Sequence, residues 1–192
     1  MSTFNVLHVC TGNICRSPMA EHLMREGLRR RLGERADGFR VGSGGTWGLT
    51  GSPMEPHALT TLASYAVDGA AFRARELTSA QVAGADLVLA AAREHRAAAV
   101  VLQPRAAGRT FTLREFNRLT ALVDPATLPA GDPVERARAL VRAANGNRGL
   151  ASPGRPRDDD LEDPYRERAA AFAVCAELVE ALLQGPLDLL VG

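Results

Sequence analysis

Phe4-Asn5-Val6-Leu7-His8-Val9 is followed without a break by Cys10-Thr11-Gly12-Asn13-Ile14-Cys15-Arg16-Ser17-Pro18, and a helical pattern opens at Met19. An apolar strand, a short loop bearing a thiol and a guanidinium, then a helix make a phosphate-binding site with a nucleophile in it. A loop closing onto a helix N-terminus turns several backbone N–H groups inward, where they join the positive end of the helix dipole. A thiolate at Cys10 is stabilised by that field and the neutral thiol is not. Arg16, in the first helical turn, offers a planar fork that grips two phosphate oxygens, which a lysine point charge cannot do. Gly12 and Asn13 tolerate the backbone geometry of such a loop. Ser17 has a hydroxyl that can donate to the Cys10 sulfur. Taken singly, Cys10 reads rather as a buried strand-end cysteine and Arg16 as a solvated helix residue; the nine-residue string between strand and helix reverses that and decides for the site.

Composition is that of one enzyme domain over residues 1–192. With 46% hydrophobic content the chain can bury a core of ordinary size, and a net charge of +1 gives no reason to expect nucleic acid or a membrane surface as partner. All 23 basic residues are arginine, a feature to which no function attaches. No apolar run approaches the roughly 20 residues of a bilayer span and Met1 to Asn5 lacks a leader pattern, so a cytoplasmic protein is expected. Three cysteines at unequal spacing suit a reducing compartment.

Strand and helix signals alternate. Strands are expected at Phe4 to Val9, Phe39 to Val41, Ala85 to Ala90 and Thr110 to Phe111. Helices are expected at Met19 to Leu32, Pro56 to Tyr65, Ser79 to Ala83, Arg93 to Leu102 and Tyr165 to Leu183. The fold class is therefore α/β: a three-layer arrangement with a central, mainly parallel four-stranded sheet, helices on both faces, and the phosphate loop after the first strand, where open α/β sheets place their ligands.

The string C-T-G-N-I-C-R-S-P-M-A-E at residues 10–21 resembles the signature of the low-molecular-weight protein tyrosine phosphatase family. That resemblance implies a cysteine nucleophile at Cys10 and phosphate binding by Thr11, Gly12, Asn13, Ile14, Cys15 and Arg16, with Ser17 supporting the thiolate. No metal or other cofactor is implied. The family's general acid lies in a D-P-[YF] motif, matched by Asp163-Pro164-Tyr165. A departing phenolate needs a proton, and the same carboxyl can then activate water. Asp163 followed by Pro164 is also the pattern of a helix N-cap, and both readings can hold together. Asp158, Asp159 and Asp160 read as a solvated acidic loop.

The family's loop after the second strand is matched by Ser43, near the phosphate loop, and by Trp47, which either lines the substrate cleft opposite Tyr165 or packs onto the domain. Ile14 is similar to tyrosine-specific members, where arginine-specific members carry threonine; an apolar β-branched neighbour favours an aromatic ring. Cys15 in such a loop either pairs reversibly with Cys10 under oxidation or is simply a small buried side chain. Cys175 reads as core.

Three departures stand out. Phe72 replaces the histidine expected in Phe72-Arg73-Ala74-Arg75, and Ala92 replaces the aspartate expected after Leu87-Val88-Leu89-Ala90-Ala91, which removes two braces of the loop. From Gln103 to Asp160 the chain is longer than typical members by about thirty residues. Within it Thr112 to Leu119 and Val134 to Ala144 show helical spacing, and Gly146 to Asp160 reads as a mobile loop. This insertion either covers the substrate entrance or is a hairpin at the sheet edge.

The function implied is metal-independent hydrolysis of phosphotyrosine on proteins through a cysteinyl-phosphate. A bacterial tyrosine kinase is one partner of that kind, a secondary-metabolism protein another, and phosphate or another oxyanion would occupy the loop. Two other readings are an arsenate reductase, for which downstream cysteines near the loop are wanting, and a phosphopeptide-binding module that has lost turnover.

Overall fold

Phe4–Cys10 (β1) is apolar on both faces, as a strand covered on both sides must be, and it lies at the centre of the sheet. A computed structural model describes residues 3–191; Met1 and Ser2, part of the stretch read for a leader, lie outside the described residues. Phe39–Gly45 (β2) pairs with β1 in parallel, Cys10 opposite Gly45, and Leu87–Ala90 (β3) pairs on its other side. Thr110–Thr112 (β4) completes a four-stranded parallel sheet in the order β2-β1-β3-β4. The second strand is longer than expected: its Gly42-Ser43-Gly44-Gly45 end, read as a loop, stays paired with β1.

Seven α-helices surround the sheet among the described residues: Arg16–Leu32 (α1), Pro56–Ser64 (α2), Ser79–Gly84 (α3), Arg93–Leu102 (α4), Leu113–Thr120 (α5), Pro133–Gly146 (α6) and Ala169–Asp188 (α7). The larger core layer joins Phe4, Val6, Met19, Leu23, Leu62, Phe116, Leu140, Phe172 and Val179, and the smaller one, on the opposite face, joins Leu7, Val9, Val82, Val88 and Ala99. Alternate residues of β1 thus feed two separate cores, which is the three-layer arrangement expected.

Helix ends follow local chemistry. Thr112 and Glu115 form a reciprocal capping box on α5, Thr78 and Gln81 another on α3, while Glu55 caps α2 and Asp132 caps α6. Neither α1 nor α4 has a cap from its own N-cap residue, Cys15 or Ala92. These two helices begin beside the phosphate loop.

Four expectations are corrected. The last helix starts at Ala169, not Tyr165, because Arg166 adopts a left-handed φ of 68° that ends the turn begun at Pro164. That helix is also an apolar run of membrane-spanning length, where none is expected from the sequence. Its Phe172, Cys175, Val179 and Leu183 are buried and it packs on α1, α2 and α5. The segment 103–160 is not a decoration at the edge: Val134, Ala137, Leu140 and Val141 of α6 join the larger core beside Phe4 and Leu87. Nor are Asp159 and Asp160 a solvated acidic run. Asp159 is buried against Arg118 of α5, with oxygens 2.6 and 3.2 Å from its guanidinium, and Asp160 is bound by Arg93.

Candidate active site

The loop from Cys10 to Arg16 is held open by its own carbonyls. Those of Cys10, Thr11, Gly12 and Ile14 accept outward from the N–H groups of Thr46, Trp47, Leu49 and Glu55 at 2.9–3.1 Å. Because a trans peptide points its C=O and N–H in opposite directions, the amides of Thr11, Gly12, Asn13 and Cys15 face the other way, into the loop. The strand-to-helix connection thereby becomes a ring of donors. Gly48 makes this possible, since a Cβ there would sit 2.4 Å from the Arg75 carbonyl oxygen.

Asn13, with φ of 56°, is the hub. Its Oδ1 accepts from the Arg75 amide at 2.9 Å, and its Nδ2 donates to Ser17 Oγ at 2.9 Å and to Ser43 Oγ at 2.8 Å. Ser43 in turn donates to Glu21 Oε2 at 2.5 Å, and the other Glu21 oxygen pairs with Arg25. Cys10 Sγ lies 2.9 Å from Ser17 Oγ. All of Cys10, Asn13, Ser17, Glu21 and Ser43 are buried. Phe72, at the position expected for a bracing histidine, packs edge-on against His22, and the Arg75 amide braces Asn13 instead.

Arg16 is buried and reaches across the mouth of the loop. Its Nη2 donates to Asp163 Oδ2 at 2.6 Å and to Thr11 Oγ1 at 3.3 Å, its Nη1 donates to the Leu161 carbonyl at 3.3 Å, and its buried Nε has no partner among the described residues. Asp163 Oδ1 accepts from the Tyr165 amide, so the carboxyl holds its own loop as a cap would. Asp163 is therefore not the N-cap of a helix, since α7 begins only at Ala169 after Arg168; its carboxyl closes a local turn and meets Arg16.

A cleft of about 250 Å³ collects Cys10, Thr11, Gly12, Ile14, Cys15 and Arg16 at its floor, with Trp47, Leu49, Tyr165 and Asp163 around it. Trp47 is 80% exposed and Tyr165 45%, so the tryptophan is a wall of the cleft rather than a packed side chain. Leu49 is a wall that sequence reading missed. No residue of 103–160 lines the cleft. Burial, with Cys10, Asp163 and Glu55 close by, pushes the Cys15 thiol up against the opposing pull of Arg16. Cys175 is buried in the larger core, where burial raises its thiol to about 11.

His95 is the main residue that sequence reading overlooked. It is buried on α4, with Nε2 2.9 Å from Thr11 Oγ1 and a buried Nδ1 that has no partner among the described residues. Burial first, and Arg16 second, lower its pKa, against the opposing pull of Glu94, Asp163 and Asp160. Its signal was topological: β3 neighbours β1, so the first turn after β3 must lie against the loop after β1. Among the described residues no cluster of carboxylates, histidines and thiols is arranged to hold a metal.

A parallel α/β sheet with a thiol, a guanidinium and inward amides after its first strand defines the class of loop-based phosphate-handling folds. Within that class, the chain belongs to the low molecular weight phosphotyrosine protein phosphatase family, whose model matches residues 5–143. It is 35% identical over 175 residues to the probable low molecular weight protein-tyrosine-phosphatase EpsP of Ralstonia nicotianae, covering 91% of this chain and 88% of that one. A protein-arginine-phosphatase of Geobacillus stearothermophilus is 33% identical over 71% of this chain and 85% of its own. The crystal structure of a low molecular weight protein tyrosine phosphatase from T. tengcongensis superposes with a TM-score of 0.69 at 28% identity, covering 97% of this chain and 99% of that one.

Proposed function

We propose that the chain, one phosphatase domain across residues 1–192 with 103–160 inserted in it, hydrolyses phosphotyrosine on proteins, with Cys10 as nucleophile and Asp163 as acid and base. One observation carries the assignment of roles: Arg16 and Asp163, 147 residues apart, meet at 2.6 Å in the mouth of the cleft whose floor holds Cys10. A phosphate dianion entering the loop would take Arg16 from Asp163, satisfy the unpaired Arg16 Nε, and leave the carboxyl beside the leaving oxygen.

Chemistry then proceeds in two steps. The Cys10 thiolate attacks phosphorus, the bond from phosphorus to the tyrosine oxygen breaks, and Asp163 gives that oxygen its proton. Water next attacks the cysteinyl-phosphate, Asp163 takes the proton, and the sulfur leaves as thiolate into the hydrogen bond from Ser17. Trp47 and Tyr165 form the aromatic slot, with Ile14 at its base, and this apolar lining favours a phenyl ring over a guanidinium. Cys15, held as a thiol by burial, is the partner for reversible oxidation of Cys10. The partner is a phosphotyrosine-bearing protein in the cytoplasm, such as a bacterial tyrosine kinase. Family membership favours hydrolysis over an arsenate reductase or a binding module that has lost turnover.

Steady-state turnover of an aryl phosphate by Cys10→Ser and Asp163→Asn tests these roles. The first should fall to background and the second by about a hundredfold or more; wild-type turnover in Cys10→Ser would overturn the nucleophile.

A further inference from the structure

Helix α4 starts at Ala92, which has no side chain able to cap it. Its first free amide, that of Arg93, is capped from elsewhere in the chain: Asp160 Oδ1 accepts from Arg93 N at 2.8 Å, and Oδ1 and Oδ2 together take the Arg93 guanidinium at 2.8–3.1 Å. The next residue continues the attachment. Leu161 N donates to the Ala91 carbonyl at 2.8 Å, and the Leu161 carbonyl accepts from Arg16. One residue earlier, Asp159 is clamped by Arg118.

Three consecutive residues are thus tied to three different elements immediately before Asp163. Asp163 itself has no such attachment: it is bound by Arg16, which substrate must claim, and by the Tyr165 amide of its own turn. The turn that Asp160 caps also carries His95, whose ring touches Thr11 of the phosphate loop. The acid segment and the phosphate loop are therefore both referred to the start of α4.

We propose that Asp160 is the positioning residue that holds the Asp163 segment in register over the phosphate loop, and that it does so through the uncapped end of α4. This rests on the reading of Asp163 as the acid. When phosphate draws Arg16 away, the tie from Asp160 to Arg93 is what keeps Asp163 within reach of the leaving oxygen. A displacement of about 1 Å in a proton donor is enough to cost orders of magnitude in rate.

The experiment measures kcat and KM for phosphotyrosine, whose leaving oxygen is basic, and for p-nitrophenyl phosphate, whose leaving group needs little protonation. Asp160→Ala should lower kcat/KM, which reports transfer to Cys10, at least ~tenfold on phosphotyrosine and only about threefold on the nitrophenyl ester. Asp160→Asn should stay within about threefold of wild type, because asparagine accepts from an N-cap amide as well as aspartate does. A double variant, Asp160→Ala with Ala92→Asp, gives α4 a cap of its own without the attachment to the acid segment. It should recover the thermal midpoint lost in Asp160→Ala and should not recover turnover. Recovery of turnover in the double variant, equal losses of kcat/KM on both substrates, or no loss at all would overturn the proposal. Asp163→Asn measured beside them separates the two readings: if its loss in kcat/KM, which reports transfer to Cys10 and not the shared hydrolysis step, is the same for both esters, the acid assignment fails whatever Asp160 does.

Discussion

At the scale of single residues, the direction of every hydrogen bond around Cys10 follows from counting donors. The Arg75 amide can only donate, so the Asn13 atom facing it is the oxygen and both remaining contacts of Asn13 are N–H donors. Ser17 Oγ accepts one of them, and once Cys10 is a thiolate, with no hydrogen of its own, the contact between them is a donation from the Ser17 hydroxyl. Ser43 likewise accepts from Asn13 and spends its hydrogen on the Glu21 carboxylate. The buried network is thus polarised toward the sulfur, and it stabilises the thiolate both as attacker and as leaving group. Ser17→Ala removes the one donor aimed at the sulfur, and we expect kcat to fall by about ten- to a hundredfold with little change in KM for the aryl ester, since a charge-assisted hydrogen bond contributes about 1.5–3 kcal/mol. Unchanged kcat in steady-state assay would mean the Ser17 hydroxyl points elsewhere. This loop was legible in the sequence because its chemistry is local: thiol, glycine, asparagine, guanidinium and serine lie within eight positions. His95, Glu21 and Asp160 were not legible, because each acts only through a neighbour that the fold brings from another element.

At the scale of elements, α7 shows where reading by periodicity ends. The apolar spacing of Phe172, Cys175, Val179 and Leu183 identifies a helix correctly, yet neither of its boundaries follows from that spacing. Its start is set by the left-handed Arg166, which no residue preference foretells. Near its end Pro186 lies inside the helix and cannot donate to the Leu182 carbonyl one turn back. Asn117 of α5 meets that carbonyl through Nδ2 at 2.9 Å, so a side chain of the neighbouring helix replaces the missing backbone bond. The helix continues through its proline because α5 is packed against it. Asn117→Ala should therefore destabilise the protein by about 1 kcal/mol, the cost of leaving a partly buried carbonyl unsatisfied. Urea denaturation should show a lower midpoint with an unchanged slope, and Asn117→Ala with wild-type stability would show that the carbonyl finds water instead.

At the scale of the whole molecule, the central strand that ends in Cys10 also carries a buried histidine, and this ties stability to pH. His8 is buried in the middle of β1 with Nε2 3.3 Å from Met24 Sδ. Burial, reinforced by Arg25, lowers its pKa from an ordinary 6.5 to about 3. His95 is lowered in the same direction by burial and Arg16. In the unfolded chain both rings take up a proton as pH falls below about 6.5, whereas in the folded protein His8 stays neutral until about 3 and His95 takes its proton at lower pH than when unfolded, so the unfolded state binds more protons and acid favours unfolding. The stability associated with neutral His8 is complete above that pH and is lost progressively as pH falls from about 6.5 toward 3, at up to about 1.4 kcal/mol per pH unit for this one group. Carboxylates stabilised in the fold titrate lower: Glu26, held to about 2 by Arg29 and Arg30, and Asp160, lowered by Arg93, still carry their charge near pH 5.5. Between pH 6.5 and 5 the histidines should therefore dominate the slope. Urea midpoints measured across that interval should fall steadily for the wild type and markedly less for His8→Leu, which keeps an apolar group of similar size beside Met24 and has no proton to gain. A slope that His8→Leu leaves unchanged would show that β1 admits a protonated ring, and would remove His8 from the account of acid stability.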